Sequence, residues 1–375
     1  MYLLSLAEEI NSVPALITAL NQAFALEMTV IPPYLTALYS IKDPKSPAAT
    51  VLQSVLVEEM LHMAMDANLI NAIGQGVHVR QAANHLNYPE PLPYKNPKGA
   101  VLSLEKCSPE QVGSLFCRIE EPSAQWLNHR PYPPQASNFE TLGQFYQAVW
   151  DGFNQLGPSI ITCPGPQYGL QLYQTGGGEL WQVETTQLAL DLIWENQLQT
   201  SSNDELKPEE PHGPNGMNEL AHYYKFKAIA EGRIPIGETY NMKPNVKPDE
   251  IHHPLAKDLN LLFDYGFTML VENLHQLFNK PGKIERFFGI SMTLMNQIMK
   301  NLAQLMMQIP INSQGQTAGP SYLYQAEGGI PLKATTLARD LLNGQHYPYN
   351  SENWNRLSAA YNGFQTIKPF PLDYE

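Results

Sequence analysis

The chain is short of cysteine, of positive charge and of long apolar runs, and each shortage excludes something. Three cysteines among 375 residues, Cys107, Cys117 and Cys163, are odd in number and show no C-x-x-C spacing. That argues against a disulfide framework and against a Cys-based zinc site. Lys and Arg total 23 against 36 Asp and Glu, a formal balance of −13. A nucleic-acid or anionic-membrane partner would ask for clustered basic side chains, so neither is expected. No stretch approaches the run of about 18 uncharged apolar residues that a membrane span needs. The opening MYLLSLAEEI reaches Glu8 and Glu9 with no basic flank before them, unlike a secretory signal. Hydrophobic residues still make up 43% of the chain, enough for a real core. The expectation is a soluble, cytoplasmic globular protein.

Convincing strand patterns and internal repeats are also missing, whereas helical periodicity is strong toward both ends. Residues 5–41 repeat apolar side chains at helical intervals (Leu16, Ile17, Leu20, Phe24) and carry Pro14 where a first turn accepts it. Residues 46–73 read as one long helix, opened by Ser46-Pro47 and closed by Gly74. A proline-rich middle contains shorter helices at 108–120 and 139–156. Helices resume at 179–200 and 218–232, and further ones follow at 255–279, 291–308 and 332–343. The class is all-α. Residues 1–235 are expected to form a four-helix bundle with an irregular crossover over about 74–178, and 250–375 a helical extension packed on it.

Two short motifs carry chemistry, Glu59-x-x-His62 and Glu219-x-x-His222. Residues i and i+3 share a helix face, so each pair can offer a carboxylate and an imidazole to one metal. The spacing alone is weak, because 26 Glu and 10 His give roughly 0.7 such matches by chance. A third match, Glu272-x-x-His275, reads as a surface pair. The company of the first two decides. A carboxylate-bridged dinuclear site asks for one Glu from each of two helices and a Glu-x-x-His from each of the other two. Glu27 (FALEMTV) and Glu195 (LIWENQ) stand among core-type residues, where a lone buried charge is costly. Four carboxylates carry about −4 and two divalent ions about +4, so the metallated state is near neutral. Carboxylate and imidazole together suit iron or manganese, with zinc an adventitious substitute.

Other residues are placed around these six. Glu58 and Asn218, four before each His, are the expected acceptors for an imidazole N–H on the facing helix, with Asp66 and Asp191 as further supports. Tyr34 and Tyr223 are expected to line the pocket. Pro32-Pro33 inside the first helix should bend it beside Glu27, and such a bend can open a channel.

The stretch ALEMTVIPPYLTALYSIK…VLQSVLVEEMLHMAMDANLINAIG, with NELAHYYKFKAIAEG and TAGPSYLYQ later, resembles the ferritin-like domain of iminophenyl-pyruvate dimer synthases of violacein- and rebeccamycin-type pathways. The resemblance implies a ferritin-like bundle with long crossover, and Glu27, Glu59, His62, Glu195, Glu219 and His222 as ligands. The third-helix run departs from the family, reading WENQLQT where a Gly-containing run is expected. Larger members carry an additional N-terminal region to which the dimerising chemistry is expected to belong, so that activity is not carried across. The leading expectation is a dinuclear iron oxidase or oxygenase acting with O₂ on a small organic substrate, in specialised metabolism, as a single protomer or a homodimer. A ferritin-like iron-storage protein, or an interaction module with a structural metal, is the alternative.

Overall fold

The computed structural model describes residues 10–92, 100–121, 142–171, 178–201, 221–282, 284–344 and 350–367, leaving aside the side chains of residues 171 and 195–201. Helices dominate it. α1 (Val13–Ser40) starts at Ser12, whose Oγ accepts from the Ala15 N–H, and Pro14 sits in its first turn. α2 (Pro47–Ala72) starts the same way at Ser46, with Pro47 opening the helix. The short link between them folds α2 back along α1. Both helices are buried on more than one face; Leu16, Leu20, Phe24, Leu52 and Val55 are all fully enclosed. Each such side chain contributes about 1.5–3 kcal/mol of apolar burial.

α1 runs through Pro32 and Pro33 as continuous helix. A proline at position 33 cannot donate to the carbonyl of Thr29, and the Tyr88 hydroxyl donates there instead, at 2.7 Å. By length and apolar content α1 alone among the described helices would suffice to cross a membrane. Most of that stretch is buried inside the fold, as befits the core helix of a bundle.

The middle of the chain is more built than its prolines imply. α3 (Val79–Asn84) is followed by a two-stranded ribbon of β1 (Glu90–Pro91) and β2 (Val101–Leu102). Next come α4 (Pro109–Gln111), a π-helical segment (Val112–Phe116) and α5 (Cys117–Ile119), one after another without a break. α6 (Leu142–Leu156) precedes a second ribbon of β3 (Leu170–Gln171) and β4 (Glu179–Leu180). The two ribbons correct the strand-free expectation, although neither positions the core. α7 (Thr186–Ser201) starts later than residue 179, because Glu179–Leu180 pairs as β4. α8 (His222–Ala230) starts at His222, not 218, after an extended Ala221.

The C-terminal part comprises α9 (Pro254–Asn279), α10 (Ile284–Met292), a π-helical segment (Thr293–Met299), α11 (Lys300–Met306), α12 (Ile330–Asn343) and α13 (Ser351–Thr366). The periodicity of the sequence did not announce α13, whose N-cap is Asn350. At Gly363 an added Cβ would stand 2.6 Å from Ile298, so the close approach of α13 to the π segment there requires a glycine. These helices share one continuous core with α1 and α2, running from Ile10 to Ile367. Polar ties join them as well: the Tyr39 hydroxyl donates to the Met295 carbonyl at 2.8 Å, and the Asn71 amide to the Phe278 carbonyl at 2.8 Å.

Candidate metal centre

Four elements deliver side chains to one buried point. α1 contributes Glu27 and, two turns on, Tyr34. α2 contributes Glu58, Glu59, His62 and Asp66. The end of α5 contributes Glu120, and the first turn of α8 contributes His222. None of these side chains is more than 3% exposed.

His222 stands at the centre. Its Nδ1 lies 2.8 Å from Glu59 Oε1 and 3.5 Å from Glu120 Oε2, while its Nε2 meets Glu58 Oε2 on the other side. Lys225 caps Glu58 from the next turn of α8, at 3.1 Å and 3.3 Å from its two oxygens. Glu58 therefore orients the ring so that Nδ1 faces the cluster. The His62 Nδ1 lies 3.7 Å from Glu59 Oε1, and the two imidazoles stand 5.6 Å apart at 31°. Two ligand-like groups emerge, Glu27–Glu59–His62 and Glu59–Glu120–His222, each with its donor atoms within 4.8 Å of one another. Glu59 belongs to both.

A tyrosine stands behind each group. The Tyr146 hydroxyl, from α6, lies 2.6 Å from Glu27 Oε1 and 3.0 Å from Asp66 Oδ2. Tyr34 donates to Glu120 Oε1 at 2.5 Å. Tyr34, Phe116 and Phe226 pack ring on ring at centroid distances of 4.6–5.2 Å and close that side to water.

Protonation follows the packing. Burial, and then the charges of Glu59 and Asp66, hold Glu27 well above the usual carboxylate range. Burial does the same to Asp66. Burial and Glu59 raise Glu120. Glu58 and Glu59 go the other way. Burial opposes their ionisation, yet Lys225 and His222 hold Glu58 down to about 2, and His62 with His222 holds Glu59 low. For His222 burial pulls downward, but Glu58, Glu120 and Glu59 outweigh it and push the imidazole well above its ordinary value. Burial and like charge thus oppose ionisation of Glu27, Asp66 and Glu120, while cationic partners favour it at Glu58 and Glu59.

The donor set fits a divalent metal. Glu59 Oε1, Asp66 Oδ1, Glu120 Oε2 and His222 Nδ1 are buried and make no hydrogen bond among the described residues. The 2.8 Å approach of His222 Nδ1 to Glu59 is close but misaligned for one. Several inward-facing lone pairs without donors are costly in a sealed interior unless a cation takes them up. Mixed carboxylate and imidazole donors are the type that iron and manganese accept.

Among the residues singled out in the sequence, Glu27, Glu59, His62, His222, Glu58, Asp66 and Tyr34 all converge here. Glu219 and Asn218 lie outside the described residues, as does the side chain of Glu195. Asp191 is exposed and accepts from Gln187 on its own helix, so it does not support the cluster. Tyr223 is half-buried and packs on Tyr224 and beneath Lys227, not at the cluster. Glu272 is buried, not on the surface as expected, and its carboxylate is taken by Arg80 through two bonds of 2.9 Å and 2.6 Å. Pro32 lines an apolar cavity with Met28, Ile31 and Leu35, and none of the described carboxylates or imidazoles of the cluster is among that cavity's lining residues.

Glu120, Tyr146 and Lys225 were not anticipated. Glu120 sits in RIEEP, which reads as a charged helix end before a proline. Only the flanking Phe116 and Ile119 hint that one carboxylate turns inward, and the π-helical segment shifts the helical phase that would have shown it.

Fold and site together define a helical-bundle protein with a buried carboxylate–imidazole cluster. Residues 20–231 match the Ferritin-like family, and the chain belongs to it. Dichlorochromopyrrolate synthase from Lentzea aerocolonigenes is 22% identical over 72% of this chain; the match spans only 29% of that relative. The crystal structure of a ferritin-like protein from Caulobacter vibrioides superposes with a TM-score of 0.58 at 21% identity, covering 83% of this chain and 99% of that one. That likeness shows the fold.

Proposed function

We propose that this cluster holds two iron ions and that the protein is an oxidase or oxygenase using O₂ on a small organic substrate. Glu27, Glu59 and His62 would hold one ion, and Glu59, Glu120 and His222 the other, with Glu59 shared. Glu195 and Glu219 are further candidates for the same shell, and manganese or zinc can substitute. When bound, the iron pair supplies reversible electron transfer toward dioxygen. The chain supplies the rest. Glu58 and Lys225 fix the His222 ring, Tyr34 and Tyr146 hold Glu120 and Glu27 by their hydroxyls, and the Tyr34–Phe116–Phe226 wall keeps water out. Binding a cation asks for Glu27 and Glu120 ionised and His222 neutral, so uptake should grow easier as pH rises. The synthase that the chain distantly resembles supports a small-molecule substrate and a setting in specialised metabolism.

The observation that carries this reading is Glu59, one buried carboxylate common to two ligand-like groups. The test is metal analysis of protein from iron-replete cells, followed by anaerobic reduction and oxygen-electrode measurement. Near two irons per chain and oxygen uptake that a substrate accelerates are expected from a cytoplasmic monomer or homodimer. A multi-subunit shell that mineralises iron would point to storage instead, and bound metal indifferent to O₂ would point to a structural role.

A further inference from the structure

The α1–α2 hairpin has a second buried side. Glu27, Tyr34, Glu59 and His62 face the cluster, whereas Met28, Ile31, Met60 and Ala64 face α9 and α10 across an apolar cavity of about 90 Å³. A water-sized body needs about 10–15 Å³ of such space, so the cavity takes roughly six to nine heavy atoms. That is one substituted six-membered ring.

The wall excludes water and charge. Its few polar groups are already engaged. The Asn68 amide donates to the Tyr168 and Trp181 carbonyls and accepts from the Tyr168 N–H. The Tyr168 hydroxyl donates to the Lys280 carbonyl, and Ser291 Oγ accepts from Asn273. Among the described residues no Asp, Glu, Lys, Arg or His lines the space. A water needs two to four polar partners and finds too few here. What the wall offers instead is five thioethers (Met28, Met60, Met63, Met292 and Met295) together with the rings of Phe267, Phe278 and Phe288. Thioethers adapt to shape and favour contact with aromatic edges. Met60, Ala64, Leu274 and Met292 are only half-buried and form an apolar rim.

We infer that this cavity is a binding site for an uncharged single-ring aromatic molecule, separate from the carboxylate cluster and lying across the hairpin from it. The inference stands whether or not the cluster holds iron. Its test is thermal unfolding of the full chain, as purified, with toluene or indole as neutral aromatic probes, heptane as an aliphatic one and benzoate as a charged one. Toluene or indole is expected to raise the Tm saturably, by roughly 2–5 °C at a hundredfold excess over Kd. Benzoate should give none of this and heptane clearly less. Leu274→Trp and Met292→Trp, which fill the cavity from α9 and α10, should each abolish the shift while leaving helicity and metal content unchanged. No saturable shift with either aromatic probe would overturn the inference. So would an equal response to heptane or benzoate, or a shift that persists in a filled variant with native helicity.

Discussion

The hydroxyl of Tyr34 lies 2.5 Å from Oε1 of Glu120, joining the first helix of the bundle to a carboxylate 86 positions further along the chain. The other oxygen of Glu120 is the one turned toward His222. Tyr34 thus decides which oxygen is free for a cation. Replacing it with Phe should preserve the fold and leave Glu120 able to rotate, weakening the second ion more than the first. Metal titration under anaerobic conditions checks this, and equal weakening of both ions would refute it.

Glu59 should be irreplaceable in a way its neighbours are not. Glu59→Ala is expected to reduce metal content toward zero. Glu27→Ala and Glu120→Ala should each remove about one ion per chain. Elemental analysis of the three purified variants, with circular dichroism to confirm folding, separates shared from unshared carboxylates.

Glu58 meets the cluster through His222, so its effect should be graded. Glu58→Gln loses the ionic grip on both the imidazole and Lys225, and metal affinity should fall by about 10–100-fold with stoichiometry kept. Lys225→Met should move affinity in the same direction by less. Competition with a chelator measures both.

Arg80 and Glu272 provide a contrast. Their bidentate pair is mostly enclosed, and Tyr324 adds a third bond to the carboxylate at 2.5 Å. Arg80→Ala strands a buried charge and should cost about 3 kcal/mol of stability, seen in urea unfolding, without changing metal content. His275→Ala should change neither by much, despite standing in a Glu-x-x-His motif.

Asp264 sets a pH dependence away from the cluster. Burial raises its carboxyl to about 7, against the bonds it accepts from the Leu323 N–H and the Ser321 hydroxyl. The unfolded chain releases this proton near pH 4 and the folded one only near 7. Between those values the folded state binds more protons, so stability falls as pH rises, by up to about 4 kcal/mol. Asp264→Asn should flatten that part of the stability profile. An unchanged slope would show that other groups govern it.

The sequence made the helices and most of the cluster readable because both leave short-range marks. Ser12 with Pro14, and Ser46 with Pro47, announce α1 and α2, and Glu59 with His62 shares one helix face. Glu120 left no such mark: it closes a short helix whose phase a π-helical segment resets, in a stretch that looked like connection. Tyr146 is likewise placed by tertiary packing, not by spacing. Glu272 shows the reverse, a motif with the right spacing whose carboxylate is neutralised by Arg80, 192 positions away in the chain. Glycine at position 363 and the Asn350 cap also acquire meaning only once α13 has neighbours.

Because the hairpin of α1 and α2 is enclosed on both sides, the segment that defines family membership is not a self-sufficient module. A fragment ending near residue 231 would strip away α9–α11 and lay Met28, Ile31, Leu35, Met60 and Leu61 bare to solvent as a broad oily patch. Such a fragment should aggregate on expression, and any attempt to graft this centre into a minimal scaffold has to bring the trailing helices with it.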